Sequence, residues 1–551
     1  MKRMMWTGVI VMAGCVWAAD GVRPQTSGDI RVLNPYEDVK WDKVEYLHSF
    51  SHQHLRSDTN RKAWEMGYRH LPASNYYPAK PAYPLPGAFA RKHPDAIGAP
   101  NAEQTCMIDS PLHFNALGSF YSTGYGKIPS FKADTSPIEH VFTGLNVLDT
   151  NTPLWRCVYR LDLRFAQKEG AGVQTAVSLT VEGGINVGWK TFEPVGNGIV
   201  RSRPLSVTSK YQFLLKTQSE NMRVRISFDP ATTKITRFRL MQGVNRPWRD
   251  AFRAALDGTR KDAQGKPVEG LLFPDAGGIT INHPWLTLED LLAMLDFDER
   301  VLGIEIWNPS SLFGYFSRVS PPPTTLDELT FYNHWDNVLR TGRRCFGFFV
   351  KDHPICERGR NVLLVSDLSK LTRQEREHEA LLAYRQGRFF GLIGAMSIDA
   401  SGKVVSPYDK SDFRFTRIAV RQDKNGKPVG LEVAVDGADR AKRPNTQIRF
   451  VTDQGIAGVE SGDKVFFAFP RAADGSILCR YVRVEAFAYP ATHLDGKPLT
   501  AEALSAMNVL QIARIHDRLG DILPAKIDDI KGQAPIGIVD MIFAQPILIR
   551  H

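Results

Sequence analysis

Two histidines one residue apart, His52 and His54, follow an apolar run from Val44 to Phe50. In a β-strand, residues two apart share a face, so this spacing would present both imidazoles to one side. Neutral imidazole is the commonest protein ligand for zinc, manganese or iron, and two on a rigid element form half of a metal site. A His-X-His alone is a weak motif and needs partners from elsewhere in the chain. Candidates recur at the ends of later apolar segments: Glu103, His113, His283, and the adjacent Asp352 and His353. Delivery of ligands from successive strand ends is how a (β/α) barrel assembles a site from distant sequence.

The segments that would carry these residues are legible in part. Thr59 to Met66 reads as a helix closed by Gly67. Ala276 to Pro284 reads as a strand ending in His283, and Thr287 to Leu295 as a helix with Glu289 and Asp290 favourably placed in its first turn. Val301 to Asn308 is the next strand, followed by a helix around Trp335 to Leu339 and a strand from Arg344 to His353. Thr372-Arg373-Gln374-Glu375 has the form of a capping box, which predicts a helix to Arg385 that stops at Gly387.

Two regions have a different texture. Val158 to Phe165 and Met222 to Phe228 alternate apolar with polar, separated by glycine, asparagine and proline turns, as in an antiparallel sandwich. Similar alternation returns in Phe413 to Val420, Leu431 to Val435, Val465 to Phe469 and Leu478 to Phe487. The resulting division is a leader at 1–18, a barrel in two parts at 19–125 and 246–395, a β-rich insertion at 126–245, and a β-rich C-terminal domain at 396–551.

The leader combines Lys2 and Arg3, the apolar run Trp6 to Trp17 and the small residues Ala18-Ala19, the three parts of a secretory signal. A cut after Ala18 is the preferred reading. Met12-Ala13-Gly14-Cys15 offers a second, a lipobox with a lipid anchor on Cys15. Either way the expected location is exported, periplasmic or extracellular. No later stretch approaches the roughly 20 apolar residues of a membrane span.

The formal charge of +10 falls to +8 without Lys2 and Arg3, and lysine and arginine are scattered rather than clustered. Nucleic acid is therefore not expected as a partner, whereas an anionic substrate would be tolerated. Past the leader the cysteines are Cys106, Cys157, Cys345, Cys356 and Cys479. Their spacing matches no zinc knuckle, and buried small hydrophobes is the simplest reading.

Taken together, His52-Gln53-His54, Glu103, His113, Gly277-Gly278-Ile279-Thr280-Ile281-Asn282-His283-Pro284, Asp352-His353 and Gln386-Gly387-Arg388-Phe389-Phe390 resemble the ordered motifs of the PHP superfamily, the polymerase and histidinol phosphatase family of metal-dependent phosphoesterases. The resemblance covers roughly residues 44 to 125 and 246 to 395. It implies an α/β fold, a distorted seven-stranded TIM-like barrel interrupted by the insertion. It implies metal ligands at His52, His54, Glu103, His113, His283 and the pair Asp352 and His353, with Glu103 bridging; as strand neighbours the last two point to opposite faces, so one of them coordinates unless the backbone turns there. Where the family has Thr-Asp-His this chain has Ser74-Asn75-Tyr76, which favours one or two zinc, manganese or iron ions over three.

The chemistry so implied is hydrolysis of a phosphorylated or other anionic small molecule or polymer by a metal-activated water. Asp352 and Glu103 would act at the reacting centre and Arg56 would neutralise substrate oxygens. The alternative is a degenerate barrel that binds carbohydrate or another surface polymer, with Trp155, Trp189 and Tyr211 as stacking platforms. Glu305, in the strand beside His283, reads as structural or as a hydrogen-bond partner of a ligand residue.

Overall fold

In a computed structural model of the chain, the residues described are 30–54, 59–74, 81–106, 112–121, 125–149, 157–171, 176–187, 192–207, 210–242, 246–258, 261, 265, 267, 269–284, 286–308, 331–350, 352, 359–394, 397–398, 404–406, 411–492, 496–506 and 539–550. Sheet dominates, with seven α-helices among the described residues.

The largest sheet has nine strands and is antiparallel throughout. Its path runs Arg31–Leu33, Ile547–Arg550, Tyr481–Tyr489, Asp540–Ala544, Phe389–Ile393, Gly359–Val365, Glu45–Ser49, and Asn445–Thr452 with Gly455–Ser461 adds to Tyr481–Tyr489. A cut at 395/396 would therefore pass through one continuous sheet. A second, mixed sheet has the order Phe346–Phe349, Val301–Trp307, Gly278–Asn282, Leu112–Leu117, Glu103–Cys106. Its first three strands are parallel and its last two join antiparallel.

This architecture replaces the closed, TIM-like α/β barrel of PHP type suggested by the sequence: the described strands form several separate sheets and none closes on itself. The reason is visible in a connection length. Residues 107–111 alone join Glu103–Cys106 to Leu112–Leu117. Parallel neighbours need a crossover of about a dozen residues or more, so these two must form an antiparallel hairpin.

The two sheets pack face to face. Apolar side chains from the mixed sheet, among them Ile304, Trp307 and Phe349, share one core with Tyr481, Phe487, Met541 and Phe543 of the large sheet. Helices Trp248–Asp257, Leu288–Leu295 and Phe331–Arg340 contribute Phe252, Leu291 and Trp335 to the same core. Gly391 permits the close approach: a Cβ there would overlap the ring of Phe349. A three-stranded sheet, Arg414–Gln422, Pro428–Asp436 and Lys464–Ala468, shares a further core with the large sheet through Phe415, Val433 and Phe450.

Helix Arg373–Gln386 carries both halves of its capping box, Thr372 and Glu375, and ends at Gly387 with φ 71°. Its Ala380, Leu381 and Tyr384 pack with Leu47 and Phe389 of the large sheet and Leu302 and Phe348 of the mixed one. It clamps the seam between the two sheets.

Residues 125–242 form two five-stranded antiparallel sheets. One holds Val158–Gln167 between Thr233–Gln242 and Lys210–Thr217; the other is centred on Ser178–Glu182 and Met222–Ser227. Leu161, Leu163, Phe213 and Leu215 face Val181, Val224 and Ile226 across a shared core. The alternation in the sequence is this division into a buried and an exposed face. No helix among the described residues is long and apolar enough to cross a membrane.

Candidate metal centre

The donors gather where the two sheets meet. The chain leaves the large sheet at Ser49, and 51–54 docks against Asp352 beyond the mixed sheet: Asp352 N donates to His52 O at 2.9 Å and His54 N to Asp352 O at 3.1 Å. Asn101 fixes this turn from below, its Nδ2 donating to Ser51 O at 2.8 Å and to Pro72 O at 2.9 Å. His52 and His54 thus lie past the strand end rather than in it. Their Nε2 atoms still converge, 3.4 Å apart.

Asp352 Oδ1 stands 3.3 Å from His52 Nε2 and 3.0 Å from His54 Nε2. Glu103 Oε2 stands 3.4 and 3.2 Å from the same two atoms. Ligand bonds of about 2.0–2.2 Å place neighbouring donors about 2.9 to 3.5 Å apart in octahedral or tetrahedral geometry. The separations fall in that range, and His52, His54 and Glu103 form one set able to hold a divalent cation, with Asp352 Oδ1 beside its two histidines.

The second carboxylate oxygen of Glu103 faces a different pair. Its Oε1 lies 2.8 Å from His113 Nδ1 and 3.3 Å from His283 Nε2. Two groups able to hold a cation, His52/His54/Glu103 and Glu103/His113/His283, are therefore joined by one bridging carboxylate. The imidazole and carboxylate donors suit zinc, manganese or iron. His52 is fully buried, whereas the His113 side chain is 27% exposed. The second position is the one that opens to solvent.

Behind these donors is a buried hydrogen-bonded frame. His52 Nδ1 donates to Glu305 Oε1 at 2.7 Å, and because the carboxylate can only accept, a proton is held on Nδ1, so that a cation displacing the Nε2 proton would meet the Nε2 lone pair. Glu305 Oε2 accepts from His283 N at 2.7 Å and from Asn308 Nδ2 at 2.9 Å. Asn308 Nδ2 also reaches Asp352 Oδ2 at 3.3 Å. Asn282 Nδ2 approaches Glu103 Oε1 at 3.4 Å.

The backbone is strained at two of these positions. His283 has φ 26° and Asp352 φ 50°, the left-handed region that a non-glycine residue enters at a cost of order 1–3 kcal/mol. Each is held there by the hydrogen bond from its own N–H, to Glu305 and to His52 O. The turn at Asp352 aims its carboxylate at the two histidines.

Burial opposes a charge on Glu103, Asp352, His52, His54 and His283, yet their neighbours favour it. For Glu103 and Asp352 burial is outweighed by the surrounding imidazoles, His52 foremost, which hold both carboxyls below the usual carboxylate range. For His52 burial is outweighed by Asp352, Glu103 and Glu305, and its pKa rises well above 6.5. His54 and His283 are raised in the same way by their carboxylate neighbours. A pocket that holds protons against burial is one in which a cation would displace them.

Of the residues singled out from the sequence, the structure brings together His52, His54, Glu103, His113, His283 and Asp352. His353, Arg56, Asn75 and Tyr76 lie outside the described residues, as do Trp155, Trp189, Cys15 and Cys356. Tyr211 is half-buried, stacked on Phe213 and accepting from Ser206 N at 2.6 Å, so its ring is part of the sandwich rather than an open platform. Cys106, Cys157, Cys345 and Cys479 are buried.

Asn308, Asn282 and Asn101 were not readable as parts of the site. Glu305 left a trace, a lone carboxylate in the apolar strand Val301–Trp307. Comparison of the chain with family models, curated proteins and solved structures finds no match.

Proposed function

We propose that this chain is an exported, divalent-metal-dependent hydrolase that cleaves a phosphoester at a two-cation centre bridged by Glu103. The observation that carries this reading is the division of labour on one buried carboxylate, with Oε2 turned to His52 and His54 and Oε1 to His113 and His283. Bound divalent cations there would lower the pKa of water toward neutrality and polarise an ester oxygen.

The chain's own groups do the rest. Glu305 holds the proton of His52 on Nδ1 and so keeps Nε2 available. Asp352, held ionised by His52 and His54, adds negative charge beside the position on their side. His113, on the exposed side, marks where a substrate would enter. The order of donors along the chain is similar to that of the PHP superfamily, and the choice of a phosphoester over other esters rests on that likeness. The barrel of that family is no part of the reading.

The test uses the full chain purified without chelator. Turnover of a phosphate mono- or diester should vanish on chelation, return with zinc, manganese or iron, and be lost in His52→Ala. Protein with full metal occupancy that turns over no member of a broad phosphoester panel would overturn the reading.

A further inference from the structure

The opposite end of the same strands carries the opposite chemistry. Glu299 and Arg344 precede Val301–Trp307 and Phe346–Phe349, whereas Glu305, Asn308 and Asp352 lie at or beyond the other ends. At about 3.3 Å per residue, six residues from 299 to 305 separate the two ends by roughly 20 Å. There a cleft of about 440 Å³ is lined by Arg344, Arg385 and Arg388, with Leu33, Phe346 and Leu548 as apolar wall.

Two of these arginines hydrogen-bond to backbone carbonyls, and the Glu299 carboxylate acts on both only at longer range. Arg344 donates through Nη2 to the carbonyl of Glu299, and its guanidinium lies over the Phe346 ring at 5.2 Å. Arg385 Nε donates to Gly277 O at 2.5 Å and its Nη2 to Pro274 O at 3.5 Å. No carboxylate lies within ion-pair distance of either among the described residues. Arg388 pairs with Glu379 at 3.2 Å through Nη2, and its buried Nε has no hydrogen-bond partner among the described residues. Burial, then Arg300 and Arg344, lower the pKa of Arg385 against the opposing pull of Glu299 and Asp298. The acids on the cleft are Glu37, Asp38 and Glu299, the first two on an exposed turn.

We infer that this cleft binds a phosphorylated small molecule, its phosphate on Arg344, Arg385 and Arg388 and its organic part against Leu33, Phe346 and Leu548. Guanidinium forks match phosphate oxygens bidentately, and a charge left without a carboxylate is one that an anion can complete. The volume lies in the range of small-molecule sites and exceeds what a lone phosphate fills. This site is separate from the metal centre and does not depend on the hydrolase reading.

The probe is phenylphosphonate, which no phosphoesterase can hydrolyse, titrated calorimetrically into the full chain at fixed ionic strength beside inorganic phosphate and sulfate. Binding should persist in His52→Ala, weaken by roughly tenfold or more in Arg344→Gln and in Arg385→Gln, and tighten in Asp38→Asn. Tightening cannot come from a folding defect, so Asp38→Asn keeps the test decisive if an arginine variant is unstable. Weaker binding of inorganic phosphate than of phenylphosphonate would support the apolar wall. Binding that is abolished by His52→Ala and indifferent to the arginine and aspartate variants, or no binding at millimolar probe, would overturn the inference.

Discussion

The two halves of the candidate metal centre share Glu103 but differ in how they are built. On the His52 side His52, His54 and Glu103 meet, with Asp352 Oδ1 3.0 to 3.3 Å from the two histidines, all buried. On the His113 side three donors meet, and His113 is partly exposed. A closed set of protein ligands is the mark of a position built to retain an ion, and an open one of a position that admits water or substrate. Under the proposed function, the contrast would place retention at the first half and reaction at the second.

The comparison breaks most completely at the shared residue. Glu103→Gln should empty both positions and lower turnover by about 10³-fold or more, the several kcal/mol that metal-ion catalysis supplies. Elemental analysis and kinetics on the same preparation would check it, and a variant that keeps two ions would dissolve the bridge. Next in size is the difference between the halves. His113→Ala should lose the weaker ion and most activity while the tighter ion stays, and Asp352→Asn should loosen the tighter one; a metal titration resolves the two classes. Equal loss of both ions in His113→Ala would erase the asymmetry.

Smaller again is the effect of the frame. Glu305→Gln should weaken metal affinity by about 10 to 100-fold, the usual consequence of removing a carboxylate that orients a ligating histidine. Unchanged affinity would reduce Glu305 to a packing role.

The smallest effect concerns two histidines near the centre but outside it. Burial, joined by Arg360 and Arg69, pushes His48 down to about 3, and burial alone does the same to His70. An unfolded histidine titrates near 6.5, so between these values the unfolded chain binds the extra protons. Stability should therefore fall as pH drops below about 6.5, by up to roughly 1.4 kcal/mol per pH unit for each histidine. Melting curves across pH 5 to 8 should show a shallower slope in His70→Asn, and parallel slopes would contradict the assignment.

How much of this was legible differs by region for a physical reason. The helix Arg373–Gln386 and the alternating strands of residues 125–242 are local patterns, written in caps and in a two-residue period. The pairing of strands is not local. Asp540–Ala544 sits between Phe389–Ile393 and Tyr481–Tyr489, and no periodicity announces such neighbours. Strands alternating with helices suggested parallel order, which among the described strands holds only for Gly278–Asn282, Val301–Trp307 and Phe346–Phe349.

At the site, imidazoles and acids at segment ends were visible as residue types. The left-handed turns at His283 and Asp352, which aim them, and Asn308, which ties Glu305 to Asp352, emerge only from tertiary contacts.

The central claim is that residues as distant as His52, His113, His283 and Asp352 close on cations shared through Glu103. Elemental analysis of the full chain purified without chelator tests it most directly. The account predicts about two zinc, manganese or iron ions per chain, both lost in Glu103→Gln. Protein that carries no such metal and takes none up on exposure to all three would contradict it.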